Sequence, residues 1–379
     1  MLALLAALTL SDARALADQR NGGLLAARAQ VPVARAAVEA AGQLQNPTAS
    51  ASYGADDPRL QLGLEVKLPV LGQRGAAIGS AEAEQRVAEA GVSVERAKLH
   101  AAVRRAYAAT WAAGEQAQLA AEAARIAAEL GKLSGEKFRT GSAPQLEAEQ
   151  AQLAAERAAH DLEDRKAEAD AARAELEAAL GAPVDAVEAP PQRAPPPLEE
   201  LSARAQQHPE VASLRLEQEA ALAKAAEERA AVRPLPAVSV IAERFTDPSV
   251  SWGLRAGIAF DLPLLSWNRG RVHQQEESAR QFAAQQAAAL QRLSGTVRAA
   301  RARWAAAASR SAFYGGAFLA SASRVLEMAQ AGYRIGRTAL VSVLQAQNDL
   351  SAARSRAVDA ALEAQKALAD LEEATGADL

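Results

Sequence analysis

The chain has 379 residues, with 42 basic and 46 acidic side chains interspersed along it, a formal net charge of −4 and no cysteine. Balanced, dispersed charge argues against a nucleic-acid surface; zero thiols exclude disulfides and thiol chemistry and lead us to expect no lipid anchor of the lipoprotein type. Half of the residues are hydrophobic but only 4% are aromatic, with alanine supplying much of the rest, a composition that predicts long alanine-rich helices.

Residues 1–7, MLALLAA, resemble the end of a secretion signal's apolar core without its basic leader, and are expected to be a remnant of such a signal. No apolar run reaches the roughly 18 residues of a membrane-spanning helix. From Leu10 to Gln45 the pattern is helical, with Ser11 as N-cap and a kink expected at Pro32; Asn46-Pro47 ends it, because a residue before proline is pushed out of the helical region.

Residues 47–68 predict a strand hairpin. Thr48, Ser50 and Ser52 alternate with Ala49, Ala51 and Tyr53, a turn follows over Gly54 to Pro58, and Leu60, Leu62, Leu64, Val66 and Leu68 then alternate with Gln61, Gly63, Glu65 and Lys67. The return strand has one apolar and one polar face. From Val70 to Lys137 a helix of about 90–100 Å is expected, with Leu119, Ala123, Ile126, Leu130 and Leu133 at coiled-coil spacing.

At residues 137–154, KFRTGSAPQLEAEQAQLA, the helix should reverse. Gly141 supplies the left-handed residue, Arg139 sits in the last turn against the negative end of the helix dipole, Ser142 and Gln145 form a capping box, and Pro144 lies in the first turn of the returning helix. That helix runs to Leu180. Gly181 to Pro197 contains six prolines and predicts a linker.

The second half retraces the path. A helix from Leu198 to Val232 yields to a strand hairpin at 235–262, in which Val238, Val240 and Ala242 alternate with Ser239, Ile241 and Glu243. After a turn at Thr246 to Ser249, Trp252, Leu254, Ala256, Ile258 and Phe260 alternate with Gly253, Arg255, Gly257, Ala259 and Asp261. A long helix from Asn268 to Ala331 reaches a second tip, GYRIGRTALVSVLQAQND at 332–349, with Arg334 and Gly336 where the first tip has Arg139 and Gly141. The last helix ends near Gly376. Landmarks recur in order at a nearly constant offset: Pro47 with Pro234, Leu68 with Leu262, Arg74-Gly75 with Arg269-Gly270, Gly141 with Gly336 and Gly181 with Gly376. We therefore expect a duplication, with repeats at 8–181 and 199–379 joined by a linker at 182–198. His100, His160, His208 and His273 have no ligand spacing and are expected to be solvated helix positions; no metal site is expected.

Four strands in two hairpins leave exposed edges and too little sheet to stand alone. Three protomers would supply twelve strands, and a closed barrel, apolar outside and polar inside, is the form in which strands span a bilayer. Leu60, Leu62, Leu64, Trp252, Leu254, Ile258 and Phe260 would then face lipid, with Tyr53, Trp252 and Trp267 at the aromatic belts. A small soluble sheet explains the alternation equally well, but not why it carries helices so much longer than itself.

The plan of helix, strand hairpin and long helix hairpin, twice over, with LPVLGQRG after one strand pair, LPLLSWNRG after the other and GYRIGRTALVSVLQAQNDL at the second tip, resembles the TolC family of outer-membrane efflux channels. The likeness covers residues 8 to 376, and the LGQRG segment is more similar to the heavy-metal efflux branch. The resemblance implies a mainly α fold with a small β part: a homotrimer with a twelve-stranded transmembrane barrel in outer-membrane lipid and a long α-helical coiled-coil barrel extending into the periplasm. It implies a passive exit duct for substrates delivered by an inner-membrane pump through a periplasmic adaptor protein, with no enzyme activity and no cofactor. Arg139, Gly141, Arg334, Gly336 and Arg337 would meet the adaptor. Tyr333 occupies the position of a family gate tyrosine and Glu147 that of the carboxylate it bonds, although Tyr333 reads equally as a packing residue. Where some members place pore-facing aspartates this chain has Ser342 and Gln345, with Asp349 one turn further on. The alternatives are a soluble alanine-rich coiled-coil scaffold, or the adaptor itself, which should instead carry β-rich domains around a single hairpin.

Overall fold

The computed structural model describes residues 7–246, 249, 251–261 and 267–379. All but the last residue of the expected signal remnant, half of the turn expected at Thr246 to Ser249 and the landmark at Leu262 to Leu265 lie outside the described residues. The helices are α1 (Leu10–Arg20), α2 (Gly22–Ala41), α3 (Gln73–Arg139), α4 (Gln145–Leu180), α5 (Leu198–Gln206), α6 (Pro209–Ala231), α7 (Arg269–Gly315), α8 (Ala317–Arg334) and α9 (Leu340–Thr375); the strands are β1 (Thr48–Tyr53), β2 (Leu60–Lys67), β3 (Leu235–Arg244) and β4 (Trp252–Asp261). None of the described helices is long and apolar enough to cross a membrane.

Three expected helices are each divided in two, and local chemistry explains every break. The first is interrupted at Asn21, not at Pro32, which lies within α2. Asn21 accepts the Leu24 N–H at 3.1 Å through its side chain and so caps α2 at a sequence, Asn-Gly-Gly, poor in helix propensity. Thr9, not Ser11, caps α1, accepting from the Asp12 N–H at 3.2 Å. The helix expected from Leu198 breaks at Gln207-His208 because Pro209 disfavours helical geometry in the residue before it. The one expected from Asn268 breaks at Gly315-Gly316, where a Cβ on Gly316 would lie 2.8 Å from the Ala312 carbonyl oxygen.

The chain forms two compact units, one of residues 1–25, 95–208 and 291–379, the other of 26–94 and 209–290. The second holds a single antiparallel sheet in the order β1-β2-β3-β4. Its two hairpins are joined by β2 and β3, from Leu60 opposite Arg244 to Lys67 opposite Ala237. The register puts Leu62, Leu64, Val238, Val240, Leu254, Ile258 and Phe260 on one exposed face. Gln61, Glu65, Lys67, Ser239, Glu243, Arg255 and Asp261 lie on the other, as period-two alternation dictates.

In the first unit the six-proline segment forms no regular element but is tied down. Leu8 and Val187 form a parallel bridge, Gln365 Nε2 donates to the Pro191 carbonyl at 2.9 Å, and the Tyr107 hydroxyl reaches the carbonyls of Leu8 and Glu188 at 2.7 and 2.9 Å. Burial pushes the Tyr107 pKa up to about 12, so it remains a donor throughout the physiological range.

The histidine expectation needs correction at two positions. His208 is 5% exposed and its Nε2 donates to the Glu373 carbonyl at 2.8 Å. His100 on α3 lies between two carboxylates, with Nδ1 2.9 Å from Asp378 and Nε2 3.1 Å from Asp18; both contacts are hydrogen bonds only when the ring carries two protons. Arg14 and Arg96 face the same carboxylates. The hydrogen bond that His100 donates to Asp378 raises the His100 pKa above 6.5 in spite of burial, and the same bond holds Asp378 below 3.8. His100 therefore contributes stability that is complete below its ordinary pKa and fades as pH rises through its raised one. Asp378 contributes above its ordinary pKa and fades as pH falls through its lowered one. Relative to His100→Gln, the native protein should be most favoured between those two ordinary values and lose the advantage in both directions. Denaturation midpoints that stay parallel for the two proteins across that pH range would contradict this.

Candidate functional site at the helix tips

Both tips close by the same backbone motif, although their sequences differ. At the first, the Gly141 N–H bonds the Phe138 carbonyl at 2.9 Å and the Ser142 N–H bonds that of Lys137 at 2.7 Å; at the second, the Gly336 N–H bonds the Tyr333 carbonyl at 3.1 Å and the Arg337 N–H bonds that of Gly332 at 2.8 Å. This is a Schellman closure, whose turn residue must be left-handed. Gly141 has φ +74° and Gly336 φ +76°, the region glycine enters without strain. Gly332 has a separate role, since a Cβ there would lie 2.2 Å from Thr338 Oγ1.

The expected capping box does not form. Pro144 is the N-cap of α4 and no side chain caps the helix, because the closure engages the Ser142 backbone while its hydroxyl lies 3.2 Å from Thr140 Oγ1, which donates to it. The second tip matches, with Ala339 as an equally uncapped start to α9. Arg139, Arg334 and Arg337 are all exposed, leaving each tip with cationic side chains in solvent.

Beneath the tips, Tyr333 is 3% exposed and packs in a cluster with Leu130, Ala151, Leu326, Leu340 and Val343. The sequence reading missed Lys137, whose Nζ donates to the Tyr333 carbonyl at 2.6 Å and sits 3.9 Å from the centre of the Tyr333 ring. A cation over an aromatic face is attracted by the ring quadrupole, so Lys137 clamps the two hairpins together. Its only sequence signal was its position immediately before the Phe138-Arg139 pair.

The Tyr333 hydroxyl is buried and makes no hydrogen bond, so within one chain it does not bond Glu147, which lies half-buried in the first turn of α4. The packing role is the one the single chain realises. Ser342, Gln345 and Asp349 all lie on the exposed face of α9, while Val343, Ala346, Gln347 and Leu350 turn inward. Gln345 Nε2 donates to Asp349 Oδ1 at 3.2 Å. Asp349 thus shares the face of the two neutral residues. No group of His, Asp or Glu side chains suited to holding a metal ion occurs among the described residues.

Residues 13–182 and 201–377 match the model of a family described as outer membrane efflux protein. No curated protein sequence matches. Among solved structures, CusC is 20% identical with a TM-score of 0.79, covering 97% of this chain and 91% of its own. VceC, an outer membrane protein of Vibrio cholerae, is 19% identical with a TM-score of 0.77, covering 97% and 96%. The CmeC outer membrane channel of Campylobacter jejuni is 17% identical with a TM-score of 0.81, covering 97% and 85%. At these identities the likeness establishes the fold.

Proposed function

We infer that this chain, which belongs to the outer membrane efflux protein family, works as a homotrimer that conducts substrates passively to the exterior, supplied by an inner-membrane pump through a periplasmic adaptor. The family is one of outer-membrane channels, not enzymes, and the protein is an efflux channel of the outer membrane that extends into the periplasm.

The observation that carries the trimer is the sheet. Its exposed face holds Leu254 at 82%, Ile258 at 69% and Phe260 at 56% exposure, while β1 and β4, at its ends, each pair with a single neighbour. In hydrocarbon such edges would strand backbone donors and acceptors at several kcal/mol each. Pairing β4 of one copy with β1 of the next in a three-fold ring satisfies them, turns the apolar face to lipid and encloses the polar face. The exposed arginines at both tips support an adaptor contact there, and the LGQRG segment places the chain nearer the heavy-metal branch in this reading. Native mass measurement in detergent tests it directly, with three chains expected; a stable monomer or dimer is incompatible with the ring.

The gate belongs to the same reading. A buried hydroxyl without a partner costs about 1–3 kcal/mol, and the orphaned Tyr333 hydroxyl supports a closed trimer that supplies the acceptor, Glu147 being the carboxylate at the matching family position. Glu147→Ala should then loosen the closed state by about 1.5–3 kcal/mol, seen in planar bilayers as larger or more frequent openings, and Tyr333→Phe should do the same. Conductance unchanged in both variants would leave Tyr333 as packing alone. Neutral rings of Ser342 and Gln345 should bind divalent cations weakly, Asp349 being the carboxylate among these three positions.

A further inference from the structure

The polar face of the sheet carries two ion pairs, and they are oriented oppositely. Toward the loops, Glu243 on β3 is 4% exposed at its side chain and Arg255 on β4 is 65% exposed, with Nη2 of the arginine 3.0 Å from Oε2 of the glutamate. The other carboxylate oxygen, Oε1, is 3.4 Å from Gln61 Nε2 on the opposite neighbour. Across the ladder Glu243 faces Gly253, which offers no side chain, and the Phe245 ring lies over that glycine so closely that a Cβ would come within 3.0 Å of it. The anion is therefore sunk into the sheet with both oxygens engaged, and the cation stands proud of it. Toward the helices the order is reversed: Asp261 is 75% exposed and Lys67 40%, 3.6 Å apart. Six residue steps along β4 separate Arg255 from Asp261, about 20 Å.

We propose that Arg255 is a charge-selecting residue of the conduction path, favouring anionic solutes in its outer part. The proposal rests on the barrel reading, in which this face lines the lumen and three copies of Arg255 form one ring. At physiological ionic strength the screening length is about 8 Å, so a solute in the lumen responds first to the nearest charge, here the guanidinium and not the carboxylate beneath it. A guanidinium with free N–H groups in a fixed fork is matched to carboxylate and phosphate groups. The Glu243 and Gln61 contacts hold it at that level, so Glu243 acts as a positioning residue and a partial counter-charge.

The test is the reversal potential of single channels in planar bilayers under a potassium chloride gradient. Arg255→Gln should shift it toward the potassium equilibrium potential. Arg255→Lys, which keeps the charge, should leave it near wild type. Glu243→Gln, isosteric and still able to accept the arginine's hydrogen bond, should shift it toward the chloride potential. Channels whose reversal potential ignores Arg255→Gln, or for which Arg255→Lys shifts as far as Arg255→Gln, would overturn the assignment while leaving the barrel intact. A wild-type protein that gives no trimer by native mass measurement in detergent would overturn the barrel reading and this assignment with it.

Discussion

Replacement of Glu372 by alanine should destabilise the folded chain by about 3–5 kcal/mol, the range for removing one partner of a buried ion pair. The Glu372 side chain is 2% exposed. It accepts from Arg14 Nη2 at 2.7 and 2.6 Å, from Arg104 Nη1 and from the Leu379 N–H at 2.9 Å. Arg104 is 1% exposed, with its Nε donating to Gln365 at 3.1 Å, and burial already lowers its pKa. Taking away the carboxylate leaves the Arg104 guanidinium with the Gln365 oxygen and the Leu379 oxygen, at 3.2 Å, as its acceptors, and much of the desolvation cost of that charge is then uncompensated. The double variant Arg104→Met with Glu372→Leu should recover much of the loss, because a buried pair replaced by apolar side chains of similar volume is often neutral. Denaturant midpoints in detergent, arranged as a double-mutant cycle, measure the coupling. A loss below about 1 kcal/mol in Glu372→Ala, in the range of exposed pairs, would show that the cluster is solvated and the packing described above is wrong.

Arginine placed at Leu254 should cost the assembled barrel about 2–4 kcal/mol, the midplane value for a lipid-facing charge, whereas arginine at Ala259 should be tolerated. The two positions lie on opposite faces of β4, at registers opposite Ala242 and Ala237, and both are exposed in the single chain, so local packing does not separate them. Gly257 is a poorer control for the polar face, since a Cβ there would come within 3.0 Å of Ser239 Oγ. Yield of folded trimer after refolding into lipid reports the difference. Equal losses at the two positions would remove the assignment of one face to lipid and the other to a lumen.

What could be read from the chain alone was whatever depends on neighbours along it. Period-two alternation sorts Leu254 and Ile258 from Arg255 and Gly257 whatever the sheet later packs against, and a glycine after a helix-ending arginine specifies the Schellman closures at Gly141 and Gly336. Asn21-Gly22-Gly23 and Gly315-Gly316 were equally local signals, and they were outweighed only because the apolar pattern continues across them.

Tertiary structure decided what depends on groups distant in sequence. Along α3, His100 and Arg104 are polar positions one helical turn apart and look solvated, as such residues usually are. They are buried because α1 and the end of the chain bring Asp18, Arg14, Glu372 and Asp378 against them, and a charge tolerates burial only where opposite charges and hydrogen bonds compensate for lost water. The same holds at the tip, where Lys137 and Tyr333 meet across two hairpins, and in the sheet, where the joining of β2 to β3 sets Gln61 beside Glu243. Spacing within a strand or helix assigns a side chain to a face; only the partner that arrives from elsewhere decides whether that face is water, lipid or another charge.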